Sequence, residues 1–351
     1  MPNALLSSQQ NRNAMPETSV TIDETPAPQP GVTRQGRIDL LDALRGLALV
    51  AMAIYHFTWD LEFFGYVAAG TAGTGGWRLF ARLIASSFLF LAGYSLVLGH
   101  GPKFRARPFL WRFAKIAGAA ALISIGTWFA FPESFIFFGI LHAIAAASLV
   151  GLLFLLLPAP VSFLAAAAAF AAPLYLRSAV FDTPALWWVG LSETIPRSND
   201  YVPLLPWLAP FLLGLGTAKL LHPMLSARWR SAQGDAGHRK LWINPLAFGG
   251  RHSLAIYLIH QPLLIGLVYA FSLVVPAPVP DPAQTYRLSC EQACNRNESG
   301  ISCAAFCGCT LDQLKEQNLF EDLNQGKIDL RTDERIARIA TQCTMEAQSG
   351  D

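Results

Sequence analysis

Long apolar segments constrain this chain more than any other feature of its sequence. Only 14% of its 351 residues are charged, whereas soluble domains carry about 25%. A helix of about 20 apolar residues crosses the ~30 Å hydrocarbon core of a bilayer. We therefore predict an all-α polytopic membrane protein with about seven transmembrane helices. The predicted spans cover residues 42–64, 77–99, 111–131, 135–157, 159–176, 203–221 and 246–275.

Polar segments flank the apolar region on both sides. Residues 1–36 are rich in Ser, Gln, Asn and Pro and lack the apolar core of a signal peptide. This composition predicts a disordered cytoplasmic leader. Residues 37–276 then form a transmembrane domain, and residues 277–351 form a small polar tail.

Basic residues near the ends of the spans predict their orientation. With a cytoplasmic N-terminus, thirteen Lys and Arg residues flank the spans on the inside and four flank them on the outside. Cytoplasmic loops carry such an excess in membrane proteins. An odd number of spans then places the C-terminal tail on the extracytoplasmic side.

The cysteines lie entirely in that tail. They are Cys290, Cys294, Cys303, Cys307, Cys309 and Cys343. An even number in a segment predicted to face an oxidising compartment indicates disulfides. Two Cys-x3-Cys pairs resemble a twin helical hairpin, which would join 290 to 307 and 294 to 303 and leave 309 with 343. Six cysteines allow fifteen connectivities. A zinc site is less favoured, because the tail has no His and no Cys-x2-Cys.

Four polar residues follow one another along the first apolar segment: Asp42, Arg45, His56 and Asp60. Such groups are costly in lipid and usually mark a functional site. His56 and Asp60 are four residues apart and share a helical face. Arg45 lies eleven residues before His56, which is ~16 Å along a helix. We expect Asp42, close to Arg45, to have a structural role. We predict that Asp60 orients His56, which acts as a general base.

Two other histidines are predicted at a similar depth. His142 lies ~10 Å into the fourth span from outside, and His260 lies ~21 Å into the seventh from inside. Each alone is explained as a polar residue satisfied between packed helices. Together with His56 they suggest a shared site, in which His142 or His260 stabilises an oxyanion or binds the acceptor. A zinc or iron site is less favoured, because no HExxH or comparable spacing appears, and we expect no metal.

Polar residues at both ends of the spans are candidate ligand contacts. On the cytoplasmic side Arg45, Arg251 and His252 could hold phosphates, although the positive-inside rule explains most nearby basic residues. On the outer side a polar and aromatic segment suits a sugar-like acceptor, or equally an interfacial aromatic belt with a turn. Its candidate residues are Asn199, Asp200, Tyr201 and Trp207.

Several motifs resemble one known family. The run from Asp42 to Ala48 followed by His56, and the segments FFGILHAIA, SNDYVPLLPW and GRHSLAIYLIHQP, resemble the heparan-α-glucosaminide N-acetyltransferase catalytic-domain family, in particular a bacterial branch of small membrane proteins. The resemblance covers about residues 37–275. The lysosomal enzyme of the family carries Asn where His56 stands. Its proposed catalytic His falls near residues 65–70, which here read GYVAAG. The role of His56 therefore rests on local chemistry alone.

The resemblance implies a transmembrane acyltransferase. Acetyl-CoA would bind from the cytoplasm as acyl donor, and an amino sugar or glycan beyond the membrane would accept the acyl group. An O-acyltransferase acting on a glycan or lipid hydroxyl, and a proton-coupled transporter, are the alternatives. We expect an integral protein of a bacterial inner membrane, with the bilayer, acyl-CoA and the acceptor as partners. A homodimer is a further candidate, and no nucleic-acid partner is expected.

Overall fold

A computed structural model describes residues 39–100, 105–231, 240–278, 281–296, 302–328 and 333–349. The predicted leader at 1–36 lies outside the described residues. Within those ranges the chain is helical and contains no strand. Eight helices form the apolar part: α1 (Asp39–Phe63), α2 (Gly75–His100), α3 (Ala106–Ala130), α4 (Ile140–Leu155), α5 (Ala159–Tyr175), α6 (Leu204–Ser231), α7 (Lys240–Arg251) and α8 (Ser253–Val274). Four follow in the tail: α9 (Pro282–Arg296), α10 (Cys303–Glu316), α11 (Phe320–Asn324) and α12 (Glu334–Ser349).

The helices confirm the predicted fold class. Among the described residues, five helices are long and apolar enough to cross a membrane: α1, α2, α3, α8 and the Leu204–Leu221 part of α6. The apolar helices α4 and α5 are shorter, with 16 and 17 residues. Large apolar side chains on the outside of the bundle, such as Phe129 and Leu156, are exposed. The chain is an integral membrane protein.

The structure corrects two of the predicted spans. The seventh, predicted as 246–275, is two helices separated at His252, whose backbone leaves the helical region. Pro262 lies inside α8 without ending it, as prolines can in membrane helices. The fourth, predicted as 135–157, begins as a helix only at Ile140, because Gly139 before it is extended.

Glycines allow two pairs of helices to pack backbone to backbone. A Cβ on Gly46 of α1 would lie 2.0 Å from the Leu246 carbonyl oxygen, and one on Gly250 of α7 would lie 1.7 Å from the Asp42 carbonyl oxygen. Helices α2 and α6 meet in the same way through Gly93. Small residues permit such close approach in membranes, where packing rather than water drives helix association.

The tail has its own covalent and apolar framework. Its disulfides join Cys290 to Cys307, Cys294 to Cys303 and Cys309 to Cys343, which confirms the predicted pairing. A small apolar cluster lies beside them and consists of Leu314, Leu319, Ile336, Ile339 and Cys343. The Gln292 side-chain amide donates to the Ala69 carbonyl at 3.4 Å, in the loop between α1 and α2.

The glycine contact between α1 and α7 predicts a specific sensitivity to a methyl group. We expect Gly46→Ala to lower stability by about 1–3 kcal/mol, because its Cβ would collide with backbone and force the helices apart. Thermal unfolding in detergent measures the change. Gly118→Ala is the control, since Gly118 on α3 has nothing within 4 Å of a Cβ and helical Ala is favoured over Gly by about 0.5–1 kcal/mol. Equal stability of Gly46→Ala and wild type would contradict the packing.

Candidate functional site

Two histidines meet where α1 packs against α8. The ring centroids of His56 and His260 are 5.0 Å apart in an edge-on arrangement. Tyr55 lies beside the first ring, at 5.7 Å, and Tyr257 lies beside the second, at 5.5 Å. His260 is two turns into α8, rather than fourteen residues into one continuous span, because the chain breaks at His252. The structure therefore brings these two predicted site residues into contact.

The hydrogen bond of His260 defines its tautomer. Its Nδ1 lies 2.6 Å from the Tyr257 carbonyl oxygen. A carbonyl can only accept, so Nδ1 carries the proton and Nε2 of the neutral ring keeps its lone pair. Nε2 is buried and has no hydrogen-bond partner among the described residues. His260 thus presents an oriented proton acceptor, the property that the sequence had suggested for His56.

The predicted bond between Asp60 and His56 is wrong. Asp60 is fully buried, and its Oδ1 accepts a hydrogen bond of 2.7 Å from Nε2 of Gln261 on α8. Within the described ranges no hydrogen bond joins Asp60 to His56. Helical spacing puts both on one face of α1 but does not choose their partners. An amide donor one residue after His260 engages the carboxylate instead.

His142 belongs to a different network. It stands in the first turn of α4, so the predicted position seven residues into a helix is wrong. Its Nδ1 accepts from the Gly139 N–H at 3.2 Å, and its Nε2 then donates to Ser124 Oγ, also at 3.2 Å. Ser124 in turn donates to the Ile136 carbonyl at 2.6 Å. With both ring nitrogens engaged, His142 joins α3 to the start of α4 rather than offering a free base.

Charged residues converge at the cytoplasmic end predicted for α1. Arg45 pairs with Asp42 at 2.7 Å and donates to Ser95 on α2. Arg251, at the end of α7, approaches Asp39 at 3.6 Å and Asp42 at 3.9 Å. Asp42 therefore links both arginines, and its structural role stays a prediction.

A further arginine adds positive charge to this cluster. Arg112 on α3 is close enough to Arg45 for electrostatic repulsion. Among the described residues, the cluster therefore contains three guanidinium groups and two carboxylates. Arg112 also lines a small, mainly apolar pocket with Phe109 and Ser148. His252, at the break before α8, packs against Phe248 with ring centroids 4.5 Å apart and ring planes tilted by 43°.

The segment before α6, which the sequence predicts to lie on the outer side, is held in place by contacts with main-chain atoms. The Asn199 N–H donates to the Ser134 carbonyl at 2.9 Å, and the Asp200 carboxylate accepts from the Ile140 N–H at 3.0 Å. The Tyr201 hydroxyl donates to the Trp187 carbonyl at 2.6 Å. Trp207 packs against the central apolar cluster. These bonds show how the segment is positioned. The Asp200 carboxylate is also within electrostatic range of the Tyr55 and Tyr257 hydroxyls beside the histidines.

Sequence reasoning missed Gln261 and Ser95. Gln261 directly follows His260, and a polar side chain in an apolar helix is itself a signal. Ser95 lies in a row of small residues that resembles a simple packing face. Neither shows its partner in the sequence, because those partners lie 201 and 50 residues away.

The fold and site define a class: a helical integral membrane protein with a histidine pair and a buried carboxylate inside its bundle. The family described as heparan-alpha-glucosaminide N-acetyltransferase, catalytic, matches residues 37–262, well over half of the chain. The chain belongs to this family of membrane acetyltransferases, and the resemblance seen in its motifs is confirmed. Comparison with curated proteins and with solved structures gives no match.

Asp200 predicts a dependence of stability on pH. Burial raises the pKa of this carboxyl to about 6, and the Ile140 N–H bond opposes the shift. A raised pKa in the folded state means that the fold favours the neutral acid. The neutral Asp200 carboxyl therefore contributes fully to the free energy of unfolding below the ordinary carboxyl pKa of about 4. This contribution is lost as pH rises through about 6. Asp200→Asn keeps an acceptor for Ile140 without the charge.

We therefore expect the stability advantage of Asp200→Asn over wild type to grow between pH 4 and pH 7. Thermal unfolding in detergent at several pH values measures this difference. A constant difference between the two proteins across that range would show that Asp200 does not titrate with folding.

Proposed function

We propose that this protein transfers an acetyl group from cytoplasmic acetyl-CoA to an amine or hydroxyl of a glycan or amino sugar on the far side of the membrane. Its family membership supports acetyl transfer. The observation that carries the proposal is the contact between His56 and His260 inside an apolar bundle, with Nε2 of His260 oriented as a proton acceptor.

The charge cluster suits the nucleotide part of the donor. Arg45 and Arg251 pair with Asp42 and Asp39, and Arg112 lies close enough to Arg45 to add a third guanidinium group. Guanidinium groups are well matched to phosphate oxygens. His252 lies at the same end and could add a further contact. In this proposal the phosphates would bind at one end of α1, and the thioester would reach along the helix to the histidines.

The histidine pair supplies the proton transfer. His260 Nε2 takes a proton from the acceptor N–H or O–H as that atom attacks the acetyl carbonyl carbon. The new C–N or C–O bond forms, the C–S bond breaks, and coenzyme A leaves as its thiolate. The ring of His56, 5.0 Å from that of His260, would donate an N–H hydrogen bond to the oxyanion, and the proton taken up by His260 would pass to the departing thiolate. His56 as sole base remains the competing assignment.

The outer segment would receive the acceptor. Asn199 and Trp207 offer a polar and an aromatic surface, while Asp200 and Tyr201 are fixed by their main-chain bonds. Sugars are commonly held by such combinations of polar and aromatic groups. In this proposal the N-terminus is cytoplasmic and the disulfide-bonded tail is extracytoplasmic, as the distribution of basic residues indicates.

Acetyl-CoA binding and turnover by purified protein test the proposal. We expect wild type to bind acetyl-CoA and release coenzyme A. His260→Ala should lower kcat about 10²–10⁴-fold, the usual loss on removing a general base. Arg45→Ala should instead weaken donor binding. His142→Ala is the matched control, because that histidine is engaged elsewhere, and should affect stability more than kcat.

Two results would contradict this assignment. Absence of acetyl-CoA binding at millimolar ligand would remove the enzyme function and leave the transporter alternative. Wild-type turnover by His260→Ala together with inactive His56→Ala would return the role of base to His56.

A further inference from the structure

The hydrogen-bonded pair of Asp60 and Gln261, between α1 and α8, carries two further buried acceptor atoms. Asp60 uses Oδ1 to accept from Gln261 Nε2 at 2.7 Å. The other carboxylate oxygen, Oδ2, and the amide oxygen of Gln261, Oε1, are buried and have no hydrogen-bond partner among the described residues. His260 Nε2, on the adjacent residue of α8, is a third buried acceptor, and it also has no hydrogen-bond partner among the described residues.

Such a group of acceptors is rare in a folded interior. More than nine in ten buried polar groups have a partner, and an acceptor without one destabilises the fold. Structural pairing alone would have used Gln261 Oε1 or Asp60 Oδ2 with a neighbouring donor. Three acceptors on neighbouring residues instead match a ligand group that carries hydrogen-bond donors.

The chemistry of the two substrates decides which of them fits. At its reacting end the acetyl thioester offers a carbonyl oxygen and a sulfur, which only accept. The attacking group is the one that carries N–H or O–H. Acceptors on the protein therefore complement the nucleophile and repel the thioester oxygen.

We propose that Asp60 and Gln261 form the subsite that binds the attacking N–H or O–H group and holds it beside His260 Nε2. This assignment rests on the proposed acetyl transfer and gives Gln261 a role that the sequence did not indicate. Gln261 fixes the carboxylate through Nε2 and keeps Oε1 for the ligand. Asp60 Oδ2 accepts a second hydrogen from the same ligand group. The transferred proton goes to His260.

Asp60→Asn is the decisive variant. It replaces the acceptor pair of the carboxylate by one acceptor and one donor, and the new N–H can bond to Gln261 Oε1. The fold therefore keeps a satisfied pair while the ligand loses its acceptors. We expect an unchanged or higher melting temperature, acetyl-CoA affinity within about twofold of wild type, and a 10- to 100-fold loss in acetyl-CoA hydrolysis, in which water is the nucleophile.

Glucosamine and glucose separate amine from hydroxyl acceptors as probes. Faster release of coenzyme A with glucosamine only would identify an amine ligand, and faster release with both would identify a hydroxyl. In either case the KM of the sugar should rise 10- to 100-fold in Asp60→Asn. Gln261→Met, of similar length, should show the same rise in KM and unchanged acetyl-CoA affinity, with a lower melting temperature because Asp60 Oδ1 loses its donor. Ser272→Ala, a polar change on the exposed face of α8, is the control and should behave as wild type.

The outcomes separate this assignment from the function on which it rests. A wild-type protein that neither binds nor hydrolyses acetyl-CoA overturns both. A wild-type protein that turns over, with Asp60→Asn and Gln261→Met equally active, overturns the subsite alone. The subsite is also overturned if both variants lose melting temperature and acetyl-CoA affinity in parallel. That result would mean that Asp60 and Gln261 only hold α1 to α8.

Discussion

The backbone contact between α1 and α7 determines the geometry of the whole site. Gly46 meets the Leu246 carbonyl, and Gly250 meets the Asp42 carbonyl, at separations that leave no space for a side chain. Helix α7 is therefore fixed against the first turns of α1. When the chain turns at His252, α8 starts alongside α1 and reaches His56 within two turns. The same contact carries Arg251 to Asp42, so one packing interaction assembles the charge cluster and the histidine pair.

The site separates groups that would otherwise interfere with one another. Arginines and carboxylates gather near the start of α1, where mutual pairing offsets much of the expense of burying charge. Uncharged imidazoles and a carboxylate held by an amide lie further along the helix, where free charge is most costly. The segment before α6 is tied to the start of α4 by the hydrogen bond from the Ile140 N–H to the Asp200 carboxylate. In the acetyl transfer that we propose, this order would suit an anionic donor and a neutral or weakly basic acceptor that approach from opposite sides.

The sequence predicted those parts of the fold that depend on composition and short-range spacing. Apolar runs located the seven predicted spans as helical segments, because a helix in lipid satisfies the hydrogen bonds of its own backbone. The disulfide pairing was predicted from the resemblance of the two Cys-x3-Cys pairs to a twin helical hairpin, and the structure has the same pairing. The polar residues of α1 were predicted to form a site because polar side chains in a membrane helix are costly and usually functional.

Partner choice could not be predicted in the same way. Asp60 and His56 share a face of α1, yet the amide of Gln261 engages the carboxylate, and that contact depends on the placement of α8. His142 was assigned a mid-helix position because the run FFGILH is uniformly apolar before it. The extended conformation of Gly139 puts the helix start there instead. The break at His252, rather than at Pro262, likewise follows from packing against α1.

The central claim is that His56 and His260, and not His142, form the reaction centre. Chemical modification tests it directly: diethyl pyrocarbonate, a small uncharged reagent that enters membranes, acylates imidazole nitrogens that keep a free lone pair, and peptide mass spectrometry locates each modified residue. In membranes containing the protein, we expect His56 and His260 to react and to be protected by acetyl-CoA, while His142 reacts slowly with or without the donor. The account would be contradicted if acetyl-CoA protected His142 from modification. It would also be contradicted if acetyl-CoA left the modification of His56 and His260 unchanged.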